Sequence, residues 1–337
     1  MILIDNLGNT NPYLNLALEE YMLRNSKQGE DFILFYINEP SIIIGRNQNT
    51  LEEINTNYIE EKGIHVVRRI SGGGAVYHDH GNLNFSFITD YDVKRLNNFK
   101  NFTQPIVNIL NEMGVPAKME GRNDLLAKGK KISGNAQFSS VKRMFSHGTL
   151  LYDTNLSEVA KALQVKMSKI QSKGHKSVRS RVANITEFLP EPMRIEDFKQ
   201  KIIDGLFKEK EDFSIYKLTD EEWAGVYQLK KEKYDQWDWN YGKSPKFNIR
   251  REKKFPVGII DLRIFVEKGH IAAIKIYGDF FSKDPVDELE HKLLGVRYTL
   301  PDIKEALAGV NLKNYFGDLA KEDFIELLYG EDEESTE

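Results

Sequence analysis

A run of glycines offers the clearest opportunity for chemistry in this chain. Gly72, Gly73 and Gly74 follow Ser71 and the basic residue Arg69. Because glycine has no side chain, the backbone here can adopt positive φ angles and approach a ligand closely. Successive amide groups in such a turn bind anions, and a guanidinium forms paired bonds to phosphate or carboxylate. We therefore predict an anion-binding loop, whereas an isolated run of glycines would favour a simple tight turn.

The residues after the glycines exclude the two best-known nucleotide motifs. A P-loop ends in Gly-Lys-Ser/Thr, and a dinucleotide fingerprint leads into a helix. Here the loop is followed by 75–78 and by the alternating segment 82–88, which is rich in aromatic and β-branched residues. This pattern predicts a strand. We expect the loop to join strands at 64–70 and 82–90, so a nucleotide would be held differently from those two folds.

A second group of polar residues surrounds a predicted hairpin. Strand alternation predicts that Lys131 and Ser133 share one face of the outgoing strand, with Gly134 leaving room for a ligand beside it. Asn123 and Asp124 stand one strand away, where they could bind a magnesium ion or orient the lysine. The plainer alternative is a solvated hairpin tip.

Two histidines, His78 and His147, are the nearest to these motifs. No H-x-x-x-H or carboxylate spacing around them supports a zinc site. We therefore expect satisfied polar or core histidines rather than a metal pair.

The composition indicates an ordinary soluble globular protein. The chain has 337 residues, of which 40% are hydrophobic and 29% are charged, and it contains no apolar run of the length, about 20 residues, that a membrane span needs. Met1–Asp5 lacks the features of a signal peptide and is predicted to be the first strand, and we expect a cytoplasmic protein. The absence of cysteine excludes disulfides, zinc–thiolate sites and a cysteine nucleophile. A net charge of −4 argues against general nucleic-acid binding.

Local signals in the first half predict an α+β fold, with helices and antiparallel hairpins in mixed or antiparallel sheets. Asn11 and Pro12 begin a helix as N-cap and first helical residue. Thr50 and Glu53 resemble a capping box at the start of a helix that reaches Lys62. The other predicted elements are paired strands at 32–37 and 41–45, a helix at 99–113, and strands near 115–119, 124–127, 130–138 and 144–152.

The second half begins with a basic run at 161–181, which contains lysines and arginines without acids. Such a run predicts a solvated helix face or mobile loop, with a lid over an anionic ligand as the alternative. Residues 237–245 break regular structure, so we place domains at 1–246 and 247–337. The other predictions are helices near 193–208 and 218–234, then a small α+β domain with strands 256–267 and 270–278, helices 284–293, 300–308 and 320–329, and a disordered acidic tail from 330.

Several of these segments, in order along the chain, resemble the lipoate–protein ligase A family in its two-domain form, within the biotin/lipoate ligase superfamily. The resemblance implies a catalytic domain like those of biotin ligases and class II aminoacyl-tRNA synthetases, followed by a small C-terminal accessory domain. It rests on residues 44–49, 68–87, 121–137, 147–151 and 177–184, and on Trp239, Gly242, Ser244, Pro245 and 278–281.

The resemblance also implies a two-step reaction. Lipoate and MgATP first give lipoyl-AMP and pyrophosphate, and the lipoyl group then passes to a lysine of an acceptor domain. The acceptor would be the glycine cleavage H protein or the E2 subunit of a 2-oxoacid dehydrogenase. Lys131 and Asp124 are the predicted catalytic residues, with Asp124 also a magnesium ligand. The predicted ligand-binding residues are Arg69, Ser71, Gly72, Gly73, Gly74, Ala75, Val76, Tyr77, His78, Asn82, Asn123, Lys131 and His147.

Enzymes of this fold with related activities carry different sequence motifs. Octanoyl- and lipoyl-transferases of this fold act through a cysteine thioester, a route closed to a chain without cysteine. Biotin–protein ligases carry a GRGRxGR-type loop, whereas the loop here reads SGGGAV. A non-catalytic lipoate or nucleotide carrier and an octanoate-preferring ligase stay open as alternatives, and retention of Lys131 argues against the carrier.

Overall fold

Contacts between residues divide the chain into two units. The first unit comprises Met1–Ile44, Thr50–Ile70 and Ala75–Tyr241, and the second comprises Gly45–Asn49, Ser71–Gly74 and Gly242–Glu337. The computed structural model describes residues 1–96, 98–163, 181–208, 214–241, 249–267 and 269–329. The predicted domain boundary near 246 and the predicted acidic tail lie outside the described residues.

A mixed sheet of eight strands forms the centre of the first unit, beside a smaller sheet of three. The strands are β1 (Ile2–Ile4), β2 (Phe32–Ile37), β3 (Ser41–Ile44), β4 (His65–Arg68), β5 (Val76–His78), β6 (Asn82–Asp90), β7 (Ala117–Glu120), β8 (Asp124–Ala127), β9 (Lys130–Ser139), β10 (Arg143–Leu151) and β11 (Ile215–Tyr216). The large sheet has the order β11-β1-β2-β6-β10-β9-β8-β7, and the small one has the order β4-β3-β5. The predicted α+β class is confirmed.

Helices cover both faces of the large sheet. The helices of this unit are α1 (Pro12–Asn25), α2 (Thr50–Glu53), α3 (Thr56–Lys62), α4 (Lys100–Glu112), α5 (Leu156–Ala162), α6 (Ile195–Phe207), α7 (Asp220–Leu229) and α8 (Trp237–Asn240), with a 3-10 turn at Ile185–Glu187 and a π-helical turn at Lys230–Tyr234. On one face, Phe85 of β6 lies in a core cluster with residues of α4 and α6. On the other face, Phe145 of β10 lies in a cluster with α1. None of the described helices is long and apolar enough to cross a bilayer.

The start of α1 follows its local signals. Asn11 is extended, with φ −69° and ψ 116°, and its side chain accepts a hydrogen bond from the Leu14 amide at 3.1 Å. Pro12 occupies the first turn, where the backbone amide has no partner within a helix. The prediction of a helix that begins here is confirmed.

Three expectations based on neighbouring residues are wrong. Strands β2 and β3 do not pair with each other, because β2 pairs with β1 and β6 whereas β3 pairs with β4 and β5. The glycine loop leads from β4 to β5, not directly to β6. The helix predicted from Thr50 is two helices, and the Thr50 hydroxyl does not form a capping box. It donates to the Asn240 carbonyl at 2.6 Å and accepts from Arg68 at 2.6 Å.

The C-terminal part of the second unit is a three-stranded antiparallel sheet with helices. Its apolar core includes Leu262, Phe280 and Phe324. The first strand and the short third helix were not predicted from the sequence. The elements are β12 (Ile249–Phe255), β13 (Gly258–Glu267), β14 (His270–Gly278), α9 (Val286–Leu293), α10 (Leu300–Ala306), α11 (Lys313–Phe316) and α12 (Lys321–Tyr329).

Candidate active site

The three loop glycines differ in what their missing side chains allow. Gly73 has a φ of +94°, which an L-residue rarely adopts. A Cβ on Gly72 would overlap the Phe280 carbonyl oxygen, so packing within the protein is enough to require a glycine at this position. Around Gly74, by contrast, no atom of the described chain lies within 4 Å of a Cβ position. The described structure therefore gives no steric reason for a glycine at position 74.

The segment after the loop presents its side chains to apolar cores. Ala75 and Tyr77 pack in the cluster around the small sheet, and Val76 packs in the cluster that includes α1. Burial raises the pKa of the Tyr77 hydroxyl, which therefore stays protonated. This packing leaves the backbone, rather than these side chains, as the part suited to a ligand.

The predicted catalytic pair is brought together in the first unit. The Lys131 ammonium lies 2.8 Å from Asp124 Oδ1, and both side chains are 37% exposed. Lys131 stands on β9 and Asp124 begins β8, which are adjacent antiparallel strands. The pair is accessible to water and hence to an incoming substrate.

A β-bulge decides which face of the sheet Lys131 occupies. Lys131 pairs with Leu126 and Ser133 pairs with Leu125, so Ile132 is an extra residue in β9. Because Leu125 and Leu126 point to opposite faces of β8, Lys131 and Ser133 also do so. The prediction that these two residues share a face is therefore wrong.

Strand register places a continuous row of polar groups on the face that bears Lys131. Asp124 pairs with Gly134, the Gly134 amide donates to Thr149 Oγ1 at 3.1 Å, and Thr149 pairs with Asn84. Two residues further along these strands, His147 pairs with Ser86. We name this row the polar band: its outer end is Lys131 with Asp124, and its inner end is His147 with Ser86.

The inner end contains buried charged and polar groups that were not predicted from the sequence. Glu19 of α1 is 1% exposed, and its Oε1 lies 2.9 Å from His147 Nδ1. Tyr36 of β2 is also buried, and burial together with the charge of Glu19 raises the pKa of its hydroxyl well above the usual value. The sequence offered no signal for Glu19 or Tyr36, because α1 is buried around most of its circumference and has no single apolar face.

His78 presents a buried nitrogen with no partner among the described residues. The Asn15 side-chain amide donates to Asn38 Oδ1 at 2.9 Å, and Asn38 Nδ2 lies 3.0 Å from His78 Nδ1. Asn38 therefore donates to Nδ1, which places the proton of the neutral ring on Nε2. Burial, with Arg69 and His147 nearby, lowers the pKa of His78 to about 3, so the ring is neutral at pH 7. Nε2 has no hydrogen-bond partner in the described part of the chain, which is typical of an atom that faces a ligand or water site.

Arg69 is more enclosed than its position beside the loop suggested. Its side chain donates to the Ile43 carbonyl of β3 at 3.1 Å, and the residue is 6% exposed. Burial lowers the pKa of Arg69 to about 10, which leaves the guanidinium charged at pH 7. A buried cation close to Glu19 and Tyr36 adds positive potential near the inner end.

The predicted asparagines help to build the site's framework. The Asn123 side chain donates to the Asn135 carbonyl at 2.5 Å, and Asn135 returns a bond to the Asn123 carbonyl at 3.0 Å. Asn82 donates to Asn84 at 2.9 Å, while its own Oδ1 is buried without a partner in the described structure. Asp79, the carboxylate that follows β5, accepts hydrogen bonds from the amides of Gly81 at 2.9 Å and Asn155 at 2.8 Å. These bonds give Asp79 a structural role in its turn.

The described residues contain no cluster of three His, Cys, Asp or Glu side chains that could hold a metal ion. Their donor set therefore does not indicate a resident metal. A magnesium ion that arrives on a nucleotide needs only one or two protein carboxylates, a role open to Asp124. Most of the basic run at 161–181, with its possible lid, lies outside the described residues.

Two family models match the chain. Residues 11–207 match the lipoyl protein ligase A/B catalytic domain, and residues 244–328 match the bacterial lipoate protein ligase C-terminus. The chain is 53% identical to the lipoate-protein ligase LplJ of Bacillus subtilis (strain 168), across 98% of this chain and 100% of the relative. It is 52% identical to lipoate–protein ligase 1 of Staphylococcus aureus (strain Mu50 / ATCC 700699), across 97% of this chain and 100% of that relative.

Solved structures agree with this assignment. The chain resembles P. falciparum LipL1 in complex with lipoate, with a TM-score of 0.78, 26% identity, and 97% coverage of both chains. It also resembles lipoate-protein ligase A bound with ATP, with a TM-score of 0.61 and 29% identity over 72% of this chain and 97% of that one. The protein therefore belongs to the lipoyl protein ligase A/B family, in the form that carries the bacterial lipoate protein ligase C-terminal domain.

Proposed function

We propose that the protein is an ATP-dependent lipoate–protein ligase that forms lipoyl-AMP and then transfers the lipoyl group to a lysine of an acceptor domain. The observation that carries the proposal is the polar band. A half-exposed ammonium, Lys131, lies at its outer end beside Asp124. Towards its inner end lie buried polar atoms that have no hydrogen-bond partner among the described residues. The relatives named above are lipoate–protein ligases, and the chain matches them over almost its full length.

In the first step, a carboxylate oxygen of lipoate attacks the α-phosphorus of ATP. A phosphorus–oxygen bond forms and pyrophosphate leaves, so negative charge must be stabilised on the phosphoryl oxygens. We assign this task to the Lys131 ammonium of the first unit, and we propose separately that the amides of Gly72, Gly73 and Gly74 bind phosphate. Preorganised donors of this kind lower the barrier because they need no rearrangement during the reaction. Magnesium enters as part of the MgATP substrate, with Asp124 as our candidate protein ligand.

Lipoate is proposed to lie along the polar band, with its carboxyl group towards Lys131. Two atoms near the inner end, His78 Nε2 and Ser86 Oγ, have no hydrogen-bond partner among the described residues. Buried polar atoms normally have partners, so these positions favour a bound molecule or water. The neutral ring of His78 offers an N–H donor without adding a charge.

In the second step, the acceptor lysine attacks the acyl carbon of lipoyl-AMP. An amide bond forms, AMP leaves, and the amine must lose a proton. We propose that Lys131 polarises the carbonyl group and that Asp124 orients or deprotonates the amine. Asp79 is a less suitable base, because its carboxylate already accepts hydrogen bonds from the backbone amides of Gly81 and Asn155. The proposed acceptors are glycine cleavage H protein and the lipoyl domain of a 2-oxoacid dehydrogenase E2 subunit.

Gly74 provides a direct probe of nucleotide binding. A Cβ atom at Gly74 meets no described atom within 4 Å, so we expect Gly74→Val to fold normally. We expect it to weaken ATP binding more than lipoate binding, because the added Cβ atom and its two methyl groups would crowd the phosphates. Calorimetry with each ligand measures both affinities. Unchanged affinity for both ligands would mean that the loop is a structural turn and does not bind the nucleotide.

Acid-dependent ATP–pyrophosphate exchange tests the whole proposal. Lipoate, octanoate and biotin are compared as acids, and product transfer is then measured with H protein and with an E2 lipoyl domain. Exchange with lipoate supports the ligase, and faster exchange with octanoate would identify an octanoate-preferring enzyme. A non-catalytic carrier would bind lipoate without any exchange.

A further inference from the structure

We propose that Gly134 is a positioning residue for Lys131: its missing side chain forms the notch in which the Lys131 ammonium lies beside Asp124. The inference deepens the proposed ligase function and depends on it for its catalytic consequence. Its structural part concerns only where the ammonium lies. Three features around Lys131 support it.

The backbone of Lys131 is fixed first. Its amide donates to the Arg181 carbonyl at 2.8 Å, and its carbonyl accepts from the Ala183 amide at 3.0 Å. Lys131 and Val182 thus form a parallel β-bridge. This bridge lies on the opposite edge of β9 from Leu126, the residue with which Lys131 pairs in β8. Ala183 is fully buried in the core, which anchors the bridging segment. The Cα of Lys131 is therefore held from two sides.

The side chain is then directed by the bulge. Because Ile132 is the extra residue, Lys131 points to the same face as Gly134 instead of the opposite face. A Cβ built on Gly134 would lie 3.0 Å from Lys131 Nζ and 3.1 Å from Lys131 Cε. The room that glycine leaves at this position is therefore filled by the chain's own lysine, not kept empty for a ligand.

Gly134 is itself fixed by a side chain. The ladder between β9 and β10 ends with the pair Asn135 and Gly148, one residue before Gly134 would join it. The Gly134 amide donates to the Thr149 hydroxyl at 3.1 Å instead of to a carbonyl of β10. On its other side, Gly134 pairs with Asp124, which holds the ammonium at 2.8 Å. The notch and the carboxylate together define one position for Nζ.

The substitution Gly134→Ala tests this arrangement. The atoms that must yield belong to the flexible end of Lys131, so the protein should fold while its ammonium moves. We expect kcat for lipoate-dependent exchange to fall by about 10-fold to 100-fold, since small misplacements of a reacting group cost rates of this order. KM for ATP and for lipoate should change much less. Gly309→Ala is the matched control, because a Cβ there meets no described atom within 4 Å.

A spectroscopic measurement reports the ammonium position without relying on turnover. The chain contains no cysteine, so Lys131→Cys introduces a single thiol. Alkylation with ¹⁵N-labelled 2-bromoethylamine then places one labelled ammonium at position 131. Its NMR signal should differ between the Gly134 and Gly134→Ala backgrounds and be unchanged by Gly309→Ala.

The outcomes separate this proposal from the proposed function. Equal ammonium signals, or an unchanged kcat in Gly134→Ala, would overturn the positioning role. If the wild-type protein shows no lipoate-dependent exchange, the ligase proposal fails, whereas the ammonium signal still decides the structural part. Should Gly134→Ala fail to fold, Thr149→Val removes the hydroxyl that holds the Gly134 amide and is subjected to the same two measurements.

Discussion

The two ends of the polar band differ in burial although they share one sheet face. At the outer end, Lys131 and Asp124 are each 37% exposed, so water screens their ion pair and it contributes at most about 1 kcal/mol to stability. At the inner end, Glu19 and His147 are buried, and His78 keeps a pKa of about 3. The difference implies that the outer end can be altered without unfolding the protein. Changes at the inner end should instead alter the stability of the protein.

Lys131→Ala should have the largest effect on activity and almost none on stability. Removing one preorganised donor to a developing negative charge costs about 10² to 10³ in rate. The free energy of unfolding should change by no more than about 1 kcal/mol, because the lost ion pair is exposed. Lipoate-dependent exchange and denaturant unfolding measure the two quantities.

The neighbouring residue supplies the control for Lys131→Ala. Lys130 lies on the same strand, its side chain is 43% exposed, and its ammonium forms a 3.4 Å ion pair with Glu187. Lys130→Ala should retain activity. Exchange within about threefold of wild type in Lys131→Ala, far less than the expected loss, would remove Lys131 from the mechanism.

The buried His78 near the inner end should make the stability of the protein fall in acid. His78 has a folded pKa of about 3, well below its ordinary value of about 6.5. Below pH 6.5 the unfolded chain binds a proton that the folded protein does not, so stability is lost as pH falls from 6.5 towards 3. At pH 5 this loss amounts to about 2 kcal/mol. No such loss from His78 is expected above pH 7.

His78→Asn isolates that contribution. The asparagine carbonyl can accept from Asn38 as Nδ1 does, but the side chain does not titrate. We expect the variant to lose about 2 kcal/mol less than wild type between pH 7 and pH 5 in urea unfolding. Carboxylates elsewhere contribute equally to both proteins. Parallel stability curves for the two proteins would contradict the buried, neutral state of His78.

Local and distant interactions explain what the sequence could predict. The start of α1 depends on Asn11 and Pro12 alone, and its prediction is confirmed. The Thr50 hydroxyl instead bonds to Asn240, 190 residues away, so its resemblance to a capping box was misleading. The separation of β2 and β3 into different sheets likewise depends on strands distant in sequence.

The same distinction applies to the candidate site. The types and spacing of Lys131 and Asp124 predicted a pair, and the structure places them 2.8 Å apart. The bulge at Ile132 places Lys131 on the opposite face of the sheet from Ser133. It arises from the register against β8 and cannot be recognised from the local sequence pattern. Glu19 reaches His147 only because α1 packs on the sheet, a contact between residues 128 positions apart.

Asp124→Asn tests whether the outer end serves one reaction step or both. A free lysine has a pKa of about 10.4, so only about one acceptor amine in 10³ to 10⁴ is neutral at pH 7. A carboxylate that orients or deprotonates the amine would accelerate transfer. Asparagine keeps the size of the side chain, and its carbonyl oxygen can still accept a hydrogen bond from Lys131, so the fold and the lysine should be preserved.

Preformed lipoyl-AMP separates the two roles of Asp124, because transfer from it bypasses the magnesium-dependent adenylation. A fall in transfer of about tenfold or more, within the range for loss of a general base, would place Asp124 in the second step. Transfer at the wild-type rate, with slower exchange, would confine Asp124 to adenylation, where it holds magnesium or Lys131. Raising the pH supplies neutral amine directly, so a defect in deprotonation should shrink as pH rises. A defect in holding Lys131 should persist, because the lysine's position does not depend on the acceptor's proton.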